Sequence, residues 1–307
     1  MKKLIQNLLL VACLLLTVSA FAQKPLRYNL ENGKVYGLKQ MAVQNIEQSV
    51  MGMSQDIKST IGGDITVTIK GKNGDVYDAE VVFKTMVFKL EAMTMTMAYD
   101  SENPEADSSN PLNKAFDLMV GHVFDVKFDD RGVVKDVKGF ETISQKITQT
   151  FSDNPQQAEQ MKQTLSGQFS DEKMKYAIGS LFIIYPEEKV RVGSKWSSDS
   201  KLAQPVVINN KFDYTIQNLG SDVVKLTGVG TMKTAEGQSI KQGGMVQHFD
   251  LNGNVEVIAA VDAKTGWPTE VKMTQKLDGN VAIEMPQSAA PVEMPMKINS
   301  EITYSSF

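Results

Sequence analysis

Apolar residues at every second position recur along most of this 307-residue chain, and that period commits it to strands. In Asp64-Ile65-Thr66-Val67-Thr68-Ile69-Lys70 the apolar side chains share one face. Asn73-Gly74 follows as a hairpin signal, and the return strand carries Tyr77, Ala79, Val81 and Phe83. The phase then slips to Met86, Phe88 and Leu90, which predicts a bulge. A tight turn near Glu91-Ala92 leads to a stripe of Met93, Met95, Met97 and Tyr99. His122, Phe124, Val126 and Phe128 form the next set, and Asp129-Asp130-Arg131-Gly132 turns the chain into residues 133–137. Past residue 205, strands are expected around 212–216, 223–227, 245–249, 255–261, 270–277 and 297–304. Asn252-Gly253, Thr265-Gly266 and Asp278-Gly279 supply the expected turns between them.

The stretch 140–184 breaks this pattern. Ile143, Ile147 and Phe151 fall at helical spacing, Pro155 suits a first turn, and Ser170-Asp171-Glu172-Lys173 offers an N-cap before Met174, Ala177, Ile178 and Leu181. The expected fold class is therefore mainly β with a helical insertion. It is a curved antiparallel sheet or half-open barrel, in one or two β lobes, with two or three helices packed across it. The expected division is a leader at 1–22, an N-terminal β lobe at 23–139, the helical segment at 140–184 and a C-terminal β lobe at 185–307. Residues 23–307 also suit one domain.

Met1-Lys2-Lys3, an apolar run and Ala20-Phe21-Ala22 have the three parts of a secretory signal peptide, so the expected location is periplasmic or extracellular. Leu10-Val11-Ala12-Cys13 spells a lipobox. The apolar run continues past Cys13, which argues against anchoring there. Cleavage after Ala22 removes the one Cys and leaves no run long enough to span a bilayer. A net charge of −4 gives no basic face for nucleic acid.

No nucleophile elbow, phosphate-binding loop or zinc-protease motif is present, and the expected reading has no catalytic residue, no metal and no cofactor. His122 and His248 read as packed or surface strand residues. Asp250-Leu251-Asn252-Gly253-Asn254-Val255-Glu256 gathers oxygen ligands, but a hairpin turn accounts for it better than calcium. Trp196 and Trp267 read as packed rings rather than as a sugar platform.

Certain segments together resemble a family of exported proteins of unknown function from Bacteroidetes-type bacteria (DUF6263-like). They are Ser19-Ala20-Phe21-Ala22-Gln23, Tyr99-Asp100-Ser101, Phe128-Asp129-Asp130-Arg131-Gly132-Val133-Val134, and the run from Tyr185-Pro186 through Val190-Arg191-Val192-Gly193 to Trp196. The resemblance implies no activity and brings no site residue. The expected architecture is also loosely similar to that of periplasmic lipoprotein carriers. The leading expectation is a non-enzymatic envelope protein holding a hydrophobic small molecule or lipid between sheet and helices, with Phe83, Phe88, Met93, Met95 and Met97 as lining. The alternative is a filled-core structural module that docks an envelope protein. A glycan hydrolase using paired carboxylates comes last.

Overall fold

The computed structural model describes residues 23–50, 53–93, 95–103, 111–168, 170–203, 206–242, 244–285 and 290–307. The signal segment and Cys13 lie outside these residues.

Among the described residues, fourteen strands build one antiparallel sheet that does not close into a barrel. Seven come before the helices: β1 (Val35–Val50), β2 (Met53–Asn73), β3 (Val76–Phe83), β4 (Val87–Ala92), β5 (Met95–Asp100), β6 (Val123–Asp129) and β7 (Val134–Lys138). Seven follow: β8 (Lys195–Ala203), β9 (Val207–Leu219), β10 (Val223–Thr234), β11 (Ser239–Gln242), β12 (Met245–Asp262), β13 (Pro268–Glu284) and β14 (Val292–Ser306). The spatial order is β7-β6-β3-β2-β1-β14-β13-β12-β10-β9-β8, with β11 beside β12 and the β4–β5 hairpin beside β2. The first and last strands of the chain pair along Leu38↔Ser306 to Gln48↔Met296, so both halves share one sheet.

Between them lie α1 (Pro111–Asp117), α2 (Phe140–Thr150), α3 (Pro155–Gln168) and α4 (Asp171–Gly179). Helix α2 buries Phe140, Ile143 and Ile147 at the spacing that puts them on one face. Helix α3 opens on Pro155, where a missing N–H costs nothing, and Asn154 Oδ1 accepts from Gln157 N at 3.1 Å. Helix α4 is capped by Ser170 Oγ, which accepts from Lys173 N at 3.2 Å. Asp171 Oδ1 also accepts from Phe140 N at 2.9 Å, which ties the starts of α2 and α4 together. Helices α2 and α3 pack on each other, while α4 packs on both β7 and β8, the two ends of the strand order. The sheet therefore curls until its ends meet one helix, and α4 sits in the seam.

The expected slip after Phe83 is real. β3 and β4 run end to end along β2, broken at 84–86. Lys84 N donates to Asp64 O at 2.7 Å, and Thr85 Oγ1 accepts from Asp64 N at 2.9 Å. Gly63 permits this break, because a Cβ there would lie 2.1 Å from Thr85 O.

Two expected turns are corrected. Asn252-Gly253 and Asp278-Gly279 lie inside β12 and β13, opposite each other in register (Asn252↔Asp278, Gly253↔Leu277). A Cβ on Gly253 would lie 1.8 Å from Lys276 O, and one on Gly279 would lie 2.1 Å from Asp250 O. These glycines let two long strands bend closely past each other, rather than reverse the chain. Thr265-Gly266 does make the β12–β13 turn, with Gly266 at φ 68°. The oxygen-rich run 250–256 is consequently extended strand.

Candidate functional site

One end of the curled sheet is filled with rings. Tyr28 meets Phe128, Phe182, Tyr185 and Trp267 at centroid distances of 6.2, 5.4, 5.0 and 6.4 Å. Their polar atoms are paired. Tyr77 Oη donates to Tyr28 O at 2.9 Å, Tyr28 Oη accepts from Ile183 N at 3.0 Å, and Tyr185 Oη donates to Gly266 O at 2.6 Å. Burial pushes the Tyr28 and Tyr185 hydroxyls above the ordinary tyrosine range.

Two segments of the family resemblance, 128–134 and the run from Tyr185, meet here. Tyr185 N donates to Arg131 O at 2.9 Å and Arg131 Nε donates to Tyr185 O at 2.8 Å. Arg27 reaches Pro186 O and Glu187 O from the other side. Asp129 Oδ1 accepts from Arg131 N and Val133 N at 3.1 and 2.9 Å, and Lys135 Nζ lies 2.8 Å from its Oδ2. The Asp129–Gly132 turn is thus held by its own backbone and a lysine. Trp267 is buried, and Trp196 stacks on Tyr214 while donating to Ile184 O at 2.8 Å. His122 is buried with Nε2 2.9 Å from Gly139 O, while exposed His248 sits 3.0 Å from Glu284 Oε1.

Beyond the rings, the same strands enclose a chamber of about 520 Å³. Sites that hold small ligands run from about 300 to 1,000 Å³. On β1 the inward face reads Gln40, Ala42, Gln44 and Ile46, and all four line it. Met86, just before β4, and Phe88 and Leu90 of β4 add to the wall, and Phe212 and Tyr214 of β9 approach from the other arm of the curl. Helix α4 and the segment after it form the roof, through Lys173, Met174, Ala177, Leu181 and Phe182. Phe116 of α1 packs on Phe88 at 5.5 Å and on Tyr99 at 5.3 Å at the β4–β5 side.

Of the five side chains expected to line a groove, Phe83 and Phe88 face this chamber. Met97 pairs with Leu90 and so shares its face, but β5 is one strand further out, and Met97 is half-buried beyond the lining. Met95, opposite Ala92, is 49% exposed, and Met93 occupies the turn at 75% exposed. The methionines that do line the chamber are Met86, Met119, Met174 and Met273, which no single stripe of the sequence links.

Ser59, Gln44 and Gln275 also line it. Ser59, Gln44, Ser300 and Gln275 stand side by side on β2, β1, β14 and β13. One row toward the rings lie Ile61, Ala42, Ile302 and Met273; one row away lie Ile57, Ile46, Ile298 and Leu277. Asn210 and Ser200, paired in register on β9 and β8, line the opposite arm. Ser300 Oγ and Asn210 Oδ1 are buried and unbonded among the described residues. Leaving one such atom unpaired costs about 1–3 kcal/mol. Nearer the rings, burial pushes the Tyr304 hydroxyl up to about 12, against a hydrogen bond from Ser180 that lowers it. Burial holds the Lys173 ammonium below the ordinary lysine range, against the opposing charge of Glu172.

No group of three His, Cys, Asp or Glu positioned for a metal ion occurs among the described residues. Nor, among those residues, is any helix long and apolar enough to cross a membrane.

Curled sheet, ring-filled end and roofed chamber together define an unclosed antiparallel β fold with an internal apolar compartment. The chain belongs to DUF6263, a family of unknown function, whose model matches residues 74–268. No curated protein matches it. Its structure is similar to a lipovitellin chain described for its lipid–protein interactions, at 10% identity and a TM-score of 0.48, covering 91% of this chain and 25% of that one. The chain thus spans a quarter of that protein's length. It also matches the outer membrane protein OprG from Pseudomonas aeruginosa at 6% identity and a TM-score of 0.26, covering 90% and 97%.

Proposed function

We propose that this is a non-enzymatic, exported envelope protein that holds a hydrophobic, lipid-like molecule in the chamber between the curled sheet and α4. The observation that carries this reading is the compartment itself. It is about 520 Å³, walled mainly by Ile, Phe, Leu and Met side chains and roofed by a helix. A filled-core module would need those inward side chains to touch one another, as the rings around Tyr28 do. Each methylene buried there contributes about 0.8 kcal/mol, so a medium-length acyl chain suffices for useful affinity. Phe83 and Phe88 supply aromatic wall. Met97 is half-buried on β5, one strand beyond that wall, and Met93 and Met95 lie outside the chamber.

Native mass spectrometry of protein purified from its own envelope under gentle conditions tests this. The expected result is a lipid-sized adduct that is lost on collisional activation. A bare polypeptide mass, together with no uptake of an added fatty acid, overturns the reading.

A further inference from the structure

A polar row runs across the wall of the chamber. We propose, resting on the chamber reading above, that the ligand is a neutral amphiphile with a carbonyl or hydroxyl oxygen part-way along it, flanked on both sides by apolar chain. The row of Ser59, Gln44, Ser300 and Gln275 crosses four neighbouring strands and lies between two apolar rows. A compartment built for plain hydrocarbon would carry isoleucine there too, as the rows on either side largely do. Gln and Ser bear no formal charge, and each presents both donors and acceptors, which matches a carbonyl or hydroxyl rather than a phosphate. Charge enters the lining through Lys173, which belongs to the roof and not to this row.

Two atoms give this arrangement its direction. Ser300 Oγ and Asn210 Oδ1 are buried without a bonding partner among the described residues, and the two residues are 4% and 7% exposed. Asn210 lines the chamber directly, and Ser300 stands between the lining residues Gln44 and Gln275. Gln275 Nε2 has a thioether, Met273 Sδ, at 3.1 Å, a weak acceptor that a ligand oxygen would replace. A site with buried polar groups of this kind discriminates strongly against an analogue that lacks the matching oxygen.

The test uses heptadecane, dioctyl ketone and the corresponding alcohol. Each is delivered from cyclodextrin and competed against a neutral naphthylamine dye in the purified protein. The ratio of ketone to alkane affinity is compared between the wild type and Gln275→Leu/Ser300→Ala. This ratio is expected to fall about tenfold in the variant, with heptadecane bound at least as well as before. An unchanged ratio with both ligands bound overturns this inference and leaves the chamber reading standing. Failure of the dye and all three ligands to bind overturns both. Should the double variant not fold, the infrared carbonyl band of the ketone bound to wild type decides. A shift to lower wavenumber relative to ketone in alkane supports the inference, and a band at the alkane position overturns it.

Discussion

At one end of the sheet Tyr28, Phe128, Phe182, Tyr185 and Trp267 meet ring against ring, and the hydroxyls of Tyr28, Tyr77 and Tyr185 are hydrogen-bonded. A few residues further along the same strands, inward side chains enclose open space, and the buried Ser300 Oγ and Asn210 Oδ1 lack partners among the described residues. The strand periodicity is the same in both places. The difference comes from what crosses the interior. At the filled end the segments 24–30 and 181–190 pass through and bring their rings, whereas at the other end α4 and residues 181–184 cover the space from above and Phe116 and Met119 border it from the side. The first end serves stability, and the second keeps room at some cost to it.

The largest expected effect falls on the filled end. Phe128→Ala removes a fully buried ring stacked on Tyr77 at 5.2 Å and tilted against Phe182 at 4.6 Å. It should cost about 3–5 kcal/mol in urea unfolding. Gly253→Ala should cost about 1–3 kcal/mol, because its Cβ meets Lys276 O, while Asn252→Ala, exposed on the same strand, changes little. The reverse ranking of those two would restore the turn that the sequence suggested. Phe88→Ala, whose ring borders open space, should cost less than about 2 kcal/mol. A loss matching that of Phe128→Ala would mean that the chamber is packed in solution.

These contrasts also show how far the sequence could be read. Alternation around Ile65, Val67 and Ile69 named strands and faces correctly, and Ser170 announced α4, because both signals are local. Asn252-Gly253 and Asp278-Gly279 misled because the same glycine that makes a turn also allows strands to pass closely. Phe83 and Phe88 lie on the face that reaches the chamber, but alternation says nothing of where a wall ends, and the same pattern runs on through Met93, Met95 and Met97 beyond it. The polar row was hidden for a different reason. Gln44 and Ser59 pair across β1–β2, Gln275 and Ser300 pair across β13–β14, and these two distant pairs meet only through the β1–β14 register.

The smallest effect concerns pH. Burial lowers the pKa of His122 from its ordinary 6.5, with Lys146 adding to the shift and the Gly139 hydrogen bond opposing it. The unfolded chain therefore takes up this proton first. The contribution is present at pH 7 and is lost as pH falls from about 6.5 through the depressed value. Urea midpoints should fall between pH 7 and pH 5.5 in the wild type and fall less in His122→Asn. Equal slopes would remove His122 from the account.

Filling the chamber tests the central claim most directly. Ala42 and Ala177 face it from β1 and α4. A neutral naphthylamine dye should bind the wild type saturably, with enhanced fluorescence, and should lose most of that binding in Ala42→Phe/Ala177→Phe while the unfolding transition stays cooperative. Equal dye binding by wild type and the filled, folded variant would contradict the chamber as the ligand site.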